Sequence, residues 1–102
     1  MIVVYFSTGT EEEAKRISER LIKEKLVACS NYFPIKSIYW WKGKVQRGKE
    51  VGVFLRTGEK NFGKIVKRIR ELHSYELPAI EKFDVETYPG LERWVKESIK
   101  ST

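Results

Sequence analysis

An α+β sandwich, with the element order βαββαβ and an added C-terminal helix, is the fold class this 102-residue chain predicts. Three observations carry that expectation. Short β-branched and aromatic runs at residues 2–6, 51–55 and 79–85 alternate with segments whose apolar residues recur at helical spacing. Two long extended stretches lie between the helices and meet at Gly43. Adjacent tryptophans, Trp40 and Trp41, stand in that hairpin, where successive residues point to opposite faces. Tyr39 and Trp41 therefore share one side, and Trp40 takes the other.

The elements follow in order. Residues 2–6 are apolar throughout and stop at Ser7 and Gly9, as a buried strand does. Thr10 with Glu13 three residues on has the form of a capping box. The helix it opens places Ala14, Ile17, Leu21 and Ile22 on one stripe and ends near Lys25. Residues 26–42 read as extended, with Pro34 marking an edge position, a bulge or a bend. Gly43 turns the hairpin, and residues 44–57 return, with Arg47-Gly48 read as a second irregularity. Phe62, Ile65, Val66, Ile69 and Leu72 set a helix over 59–72. A connection at 73–78 leads to a fourth strand with Ile80, Phe83 and Val85. Pro89 suits the first turn of a short helix carrying Leu91, Trp94, Val95 and Ile99.

This order gives a ferredoxin-like split βαβ architecture on a mixed, mostly antiparallel sheet, as a single domain over 1–102. Both main helices then cover one sheet face. Strands one and three nevertheless carry apolar groups on both faces, which is the pattern of strands covered twice. The terminal helix is too short to cover the rest, so the sequence predicts symmetric self-association.

Composition narrows the classes. Apolar content of 41% excludes a disordered chain, and no apolar run approaches the ~20 residues of a membrane helix. No signal-peptide pattern precedes the first strand, so a cytoplasmic protein with no membrane role is expected. Cys29 is the single cysteine and excludes an internal disulfide. A net charge of +6 raises nucleic-acid binding, yet the excess is spread over solvated helix faces and interleaved with glutamates. RNA-recognition domains share the element order and stack bases on strand aromatics. Here the matching positions fall on Val51, Val53 and Arg56, so no specific nucleic-acid partner is expected.

The runs Ala28-Cys29-Ser30-Asn31, Ser37-Ile-Tyr-Trp-Trp-Lys-Gly-Lys44, Glu50-Val51, Leu55-Arg-Thr57 and His73-Ser-Tyr-Glu-Leu-Pro78, with Trp94, occur in the order seen in one family. Over essentially its whole length the chain resembles the CutA divalent-cation-tolerance proteins. The resemblance implies a cytoplasmic homotrimer of ferredoxin-like subunits whose sheets join across the interfaces, similar to the nitrogen-regulatory signal-transduction trimers. It also implies a link to copper or another divalent cation, and no settled biochemical activity. Two departures stand out. The family commonly has proline after the histidine, where this chain has Ser74, which implies a less rigid turn. Members proposed to bind copper have a cysteine and two histidines at positions matching Phe6, Leu72 and His73, and only His73 is retained.

The candidate site residues each carry two readings. Cys29 is a small buried hydrophobe or a metal ligand. His73, just past a helix, is a C-terminal cap or a ligand completed by Glu50, Glu76, Glu81 or a neighbouring subunit. Trp40 and Trp41 are interface packing or a stacking platform. Asn31, Tyr39, Trp41, Lys44, Glu50, Arg56, Tyr75 and Glu76 lie on strands and turns that can line an intersubunit cleft, with lysine and arginine favouring an anionic ligand. No phosphate loop, Ser-His-Asp set or paired-carboxylate motif is present, so no enzyme is expected. The reading is a metal-tolerance or metal-response homotrimer, binding copper, another divalent cation or a small ligand at its clefts. The alternative is a signalling scaffold for a small anion, without a direct metal role, relaying to a protein partner of unspecified kind.

Overall fold

The structure, a computed structural model, describes residues 1–99. Four strands, β1 (Ile2–Thr8), β2 (Cys29–Trp41), β3 (Lys44–Thr57) and β4 (Ile80–Asp84), form one sheet in the order β2-β3-β1-β4. Every adjacent pair is antiparallel, so the expected mixed character is absent. The reason is that β3 separates the parallel strands β1 and β2, and each βαβ crossover spans a neighbour it does not pair with. The ferredoxin-like α+β sandwich is otherwise as the sequence predicts.

Helices α1 (Glu11–Lys23) and α2 (Phe62–Leu72) pack on one face, and α3 (Pro89–Ser98) follows β4. The core between sheet and helices joins Ile2, Val4, Phe6, Val53 and Leu55 to Ala14, Ile17, Leu21, Ile65 and Ile69. Alternate residues of β1 are buried, which is the two-residue period of a strand facing a helix layer. Ile22 departs from the expected stripe and is 42% exposed, because the buried side of α1 turns toward Leu21 and Ser18.

Three local devices set the ends of α1 and α2. The Thr10 side chain accepts from the Glu13 N–H at 3.1 Å, giving half of the expected capping box. After α1, the Leu26 N–H bonds to the Leu21 carbonyl and the Lys25 N–H to the Ile22 carbonyl, with Lys25 at φ 58°. That pairing is a Schellman stop. The expected helix over 59–72 instead begins as a 3-10 turn, Glu59–Asn61. Asn61 is buried there, and its side-chain amide donates to the Leu26 carbonyl at 3.1 Å.

The β2–β3 hairpin is longer than the rest of the sheet. Its register runs unbroken from Cys29↔Arg56 to Trp41↔Lys44, so neither Pro34 nor Gly48 makes a bulge. Pro34 is tolerated because β2 is an edge strand. The two-residue turn has positive φ at both Lys42 (50°) and Gly43 (78°), the geometry that matches strand twist. Gly43→Ala is therefore expected to cost about 1 kcal/mol in chemical denaturation, through the left-handed backbone alone.

The other sheet face lacks a helix layer over its middle. Tyr5, Phe54 and Phe33 form a row there, with ring centroids 5.5 and 5.3 Å apart. The row closes over Gly52, where an added Cβ would stand 3.2 Å from both the Phe33 and Tyr5 rings. Phe54 and Phe83 remain exposed, as do Ile38 (71%) and Trp40 (74%) on the opposite side of the hairpin.

Candidate functional site

The open sheet face ends in a cleft of about 780 Å³ between the hairpin and the turn after α2. Of the residues singled out from the sequence, Tyr39, Trp41, Glu50, Tyr75 and Glu76 line it together. One chain supplies both walls. Strand alternation puts Tyr39 and Trp41 on the cleft side of β2 and Trp40 on its rim.

The floor is a bonded chain of side chains. The Tyr75 hydroxyl donates to Glu50 Oε2 at 2.5 Å. The Tyr75 N–H donates to His73 Nδ1 at 2.9 Å, which makes that nitrogen an acceptor. His73 Nε2 lies 2.7 Å from the Ser7 carbonyl, which only accepts, so Nε2 carries the proton. The imidazole is thus the neutral Nε2–H tautomer, its side chain wholly buried between Phe6 and Tyr75. Burial, and then the Glu50 hydrogen bond and charge, push the Tyr75 phenol well above its ordinary range. Tyr5 is also raised, by burial and by Glu50 and Glu81.

Behind the turn stands Glu13, on the first turn of α1. Its carboxylate does not close the capping box. It accepts instead from the Ser74 N–H at 2.7 Å and the Ser74 hydroxyl at 3.0 Å. Burial opposes its ionisation, but the two Ser74 bonds and the Gly9 N–H together lower its pKa. A lowered folded-state pKa contributes stability that is full above the ordinary glutamate range and lost as pH falls through the folded value. Glu13→Gln is accordingly expected to flatten the acid side of the stability profile, measured by urea unfolding across that window. Two hydrogen bonds to Glu13 thus tie the Ser74 turn at the position where the resemblance implied proline.

The remaining residues lie elsewhere. Arg56 Nη1 donates to Asn31 Oδ1 at 2.8 Å and to Cys29 Sγ at 3.3 Å, at the far end of the open face. Lys44 pairs with Trp41 at the hairpin tip and does not line the cleft. The cationic groups expected to favour an anion are therefore not where the cleft is. Its charged lining is Glu50, Glu76 and Lys36. Sequence reasoning also missed Tyr5 and Ser7 of β1. The signal available was the polar hydroxyl of Tyr5 in a strand otherwise read as buried.

A metal centre does not fit one subunit's donors. Both His73 nitrogens are engaged, and Cys29 faces a guanidinium. Among the described residues, no group of three or more His, Cys, Asp or Glu side chains is placed to hold an ion. Among them also, no helix is long and apolar enough to cross a membrane.

Fold and site together define a small ferredoxin-like α+β protein with an aromatic, carboxylate-floored cleft on its open sheet face. The family model described as CutA1 divalent ion tolerance protein matches residues 2–98. This chain belongs to that family. It is 42% identical over 101 residues to the divalent-cation tolerance protein CutA of Pyrococcus horikoshii, covering 98% of this chain and 99% of that one. The crystal structure of CutA1 from Pyrococcus horikoshii is similar at a TM-score of 0.95 and 37% identity, over 99% of this chain and 100% of that one. The structure described as the periplasmic divalent cation tolerance protein CutA from Archaeoglobus fulgidus gives 0.95 at 32%, over 98% and 100%. The PII-like protein CutA from Nostoc sp. PCC 7120, in apo form, gives 0.91 at 31%, over 98% of each chain.

Proposed function

We propose that this protein serves divalent-cation tolerance as a homotrimer whose clefts bind a small ligand carrying a positive charge, not as an enzyme. The observation that carries the reading is the Glu50 carboxylate, held by Tyr75 at the floor of a cleft walled by Tyr39 and Trp41. Aromatic faces and a carboxylate attract a cation, most strongly where water is excluded. Trimer formation is supported by the exposed apolar hairpin and sheet face, which a single subunit leaves uncovered.

Calorimetric titration of metal-stripped protein with choline, putrescine, copper(II) and zinc(II), beside phosphate and citrate, tests the ligand class. Saturable binding of an organic cation that is lost in Glu50→Gln is expected. Anion binding indifferent to that change would overturn the charge assignment. Copper or zinc binding that vanishes in His73→Ala and survives Glu50→Gln would replace the cleft with a metal centre. We also place the protein in the cytoplasm, on its one unpaired cysteine. Recovery of the native protein in a periplasmic fraction overturns that placement.

A further inference from the structure

Glu13 does not line the cleft, yet the turn that forms one wall is tied to it, and its Oε2 lies 3.7 Å from His73 Nδ1. Glu13 is 8% exposed, and its carboxylate takes both hydrogen-bond donors of Ser74, a residue 61 positions away in sequence. Ser74 lies between His73 and Tyr75, the two residues that complete the bonded chain to Glu50. A second tie runs from the same helix: Arg16 Nη2 donates to the Leu72 carbonyl at 3.2 Å, just before the turn. An acid three residues after Thr10 would normally turn back on its own helix start. Here it keeps the Gly9 N–H beside that start and also spans to another element, at the place where that element feeds the cleft.

We infer that Glu13 is a positioning residue for the cleft: by fixing Ser74 it sets the Tyr75 hydroxyl on Glu50 and preorganises the ligand site. This rests on the cleft being the binding site proposed above. The physical basis is that a carboxylate accepting two hydrogen bonds holds backbone and side chain of Ser74 at once. A glutamine removes the charge, so the Ser74 N–H meets a neutral oxygen and the hydroxyl contact survives only if Ser74 Oγ turns to accept from the amide; both anchors lose their charge assistance. His73 reports the consequence, because its Nδ1 stays an acceptor only while the Tyr75 N–H points at it.

A rescue follows from the backbone. His73 has φ −81° and ψ 143°, the extended conformation taken by residues that precede proline. Ser74→Pro removes both bonds to Glu13 and restricts the turn covalently. The test compares wild type, Glu13→Gln, Ser74→Pro and the double variant, each checked for native near-ultraviolet circular dichroism and unchanged mass in solution. Two quantities are read: the nitrogen chemical shifts of His73, the only histidine, and the dissociation constant for choline.

Glu13→Gln is expected to mix the His73 tautomers and weaken choline binding by about 10- to 100-fold, the range typical of supporting-layer changes. Ser74→Pro in the Glu13→Gln background is expected to restore both. A folded Glu13→Gln protein with unaltered shifts and affinity overturns the inference, as does altered tautomerism with unaltered affinity. If Glu13→Gln fails to fold, Ser74→Ala removes the hydroxyl bond alone and is read by the same criteria. If wild type binds no cation while the His73 shifts still respond to Glu13→Gln, the ligand reading fails and the effect on the turn stands alone.

Discussion

Replacing Ile38 and Trp40 together by serine is expected to turn the assembly into monomers at micromolar concentration without unfolding the subunit. Both side chains are more than two-thirds exposed in the single chain, so the intrasubunit core loses little with them. They share one side of the hairpin, with Val45 directly opposite Trp40. Such a strip lies beyond the cover of α1 and α2 and needs a second chain to bury it. A buried tryptophan anchor is commonly worth 2 kcal/mol or more in an interface. Two lost anchors then weaken association by a factor on the order of a thousand. Sedimentation equilibrium checks the result. An unchanged mass would place the interface elsewhere, and a monomeric wild type would end the trimer reading. Trp41→Ala is the contrast: it faces the cleft and is expected to reduce ligand binding while leaving the mass intact.

The second large effect is at His73. His73→Ala is expected to cost about 3 kcal/mol in global stability, combining a cavity with two orphaned backbone groups. The Ser7 carbonyl and the Tyr75 N–H each lose their partner in a part-buried setting, and the wholly buried ring leaves a cavity. Urea denaturation at neutral pH gives the value. A cost below about 1 kcal/mol would mean that water or a neighbouring group replaces the imidazole, and that its role in holding the turn is minor. In this chain the histidine has a structural partner on either side of its ring.

The fold was legible because its determinants are local. Helical spacing in Ile65, Val66 and Ile69, alternation in β1 and the Lys42-Gly43 turn each specify an element without help from the rest of the chain. The boundaries that moved did so through long-range bonds, as when Asn61 reached the Leu26 carbonyl and tightened the start of α2. The cleft was half legible. Tyr39, Trp41 and Glu50 could be assigned to one face by counting along strands. The place of Arg56 could not, since its partners Asn31 and Cys29 are set by strand pairing.

By itself the sequence determined the element order, the family, the hairpin and the presence of apolar groups on both faces of the sheet. Those follow from period, turn chemistry and composition, which act between neighbours in the chain. Tertiary structure alone decided that Arg56 leaves the cleft, that both nitrogens of His73 are spent on the backbone, and that Glu13 reaches across to Ser74. Hydrogen bonds are short-ranged and directional, so which donor meets which acceptor depends on positions that only the folded chain brings together.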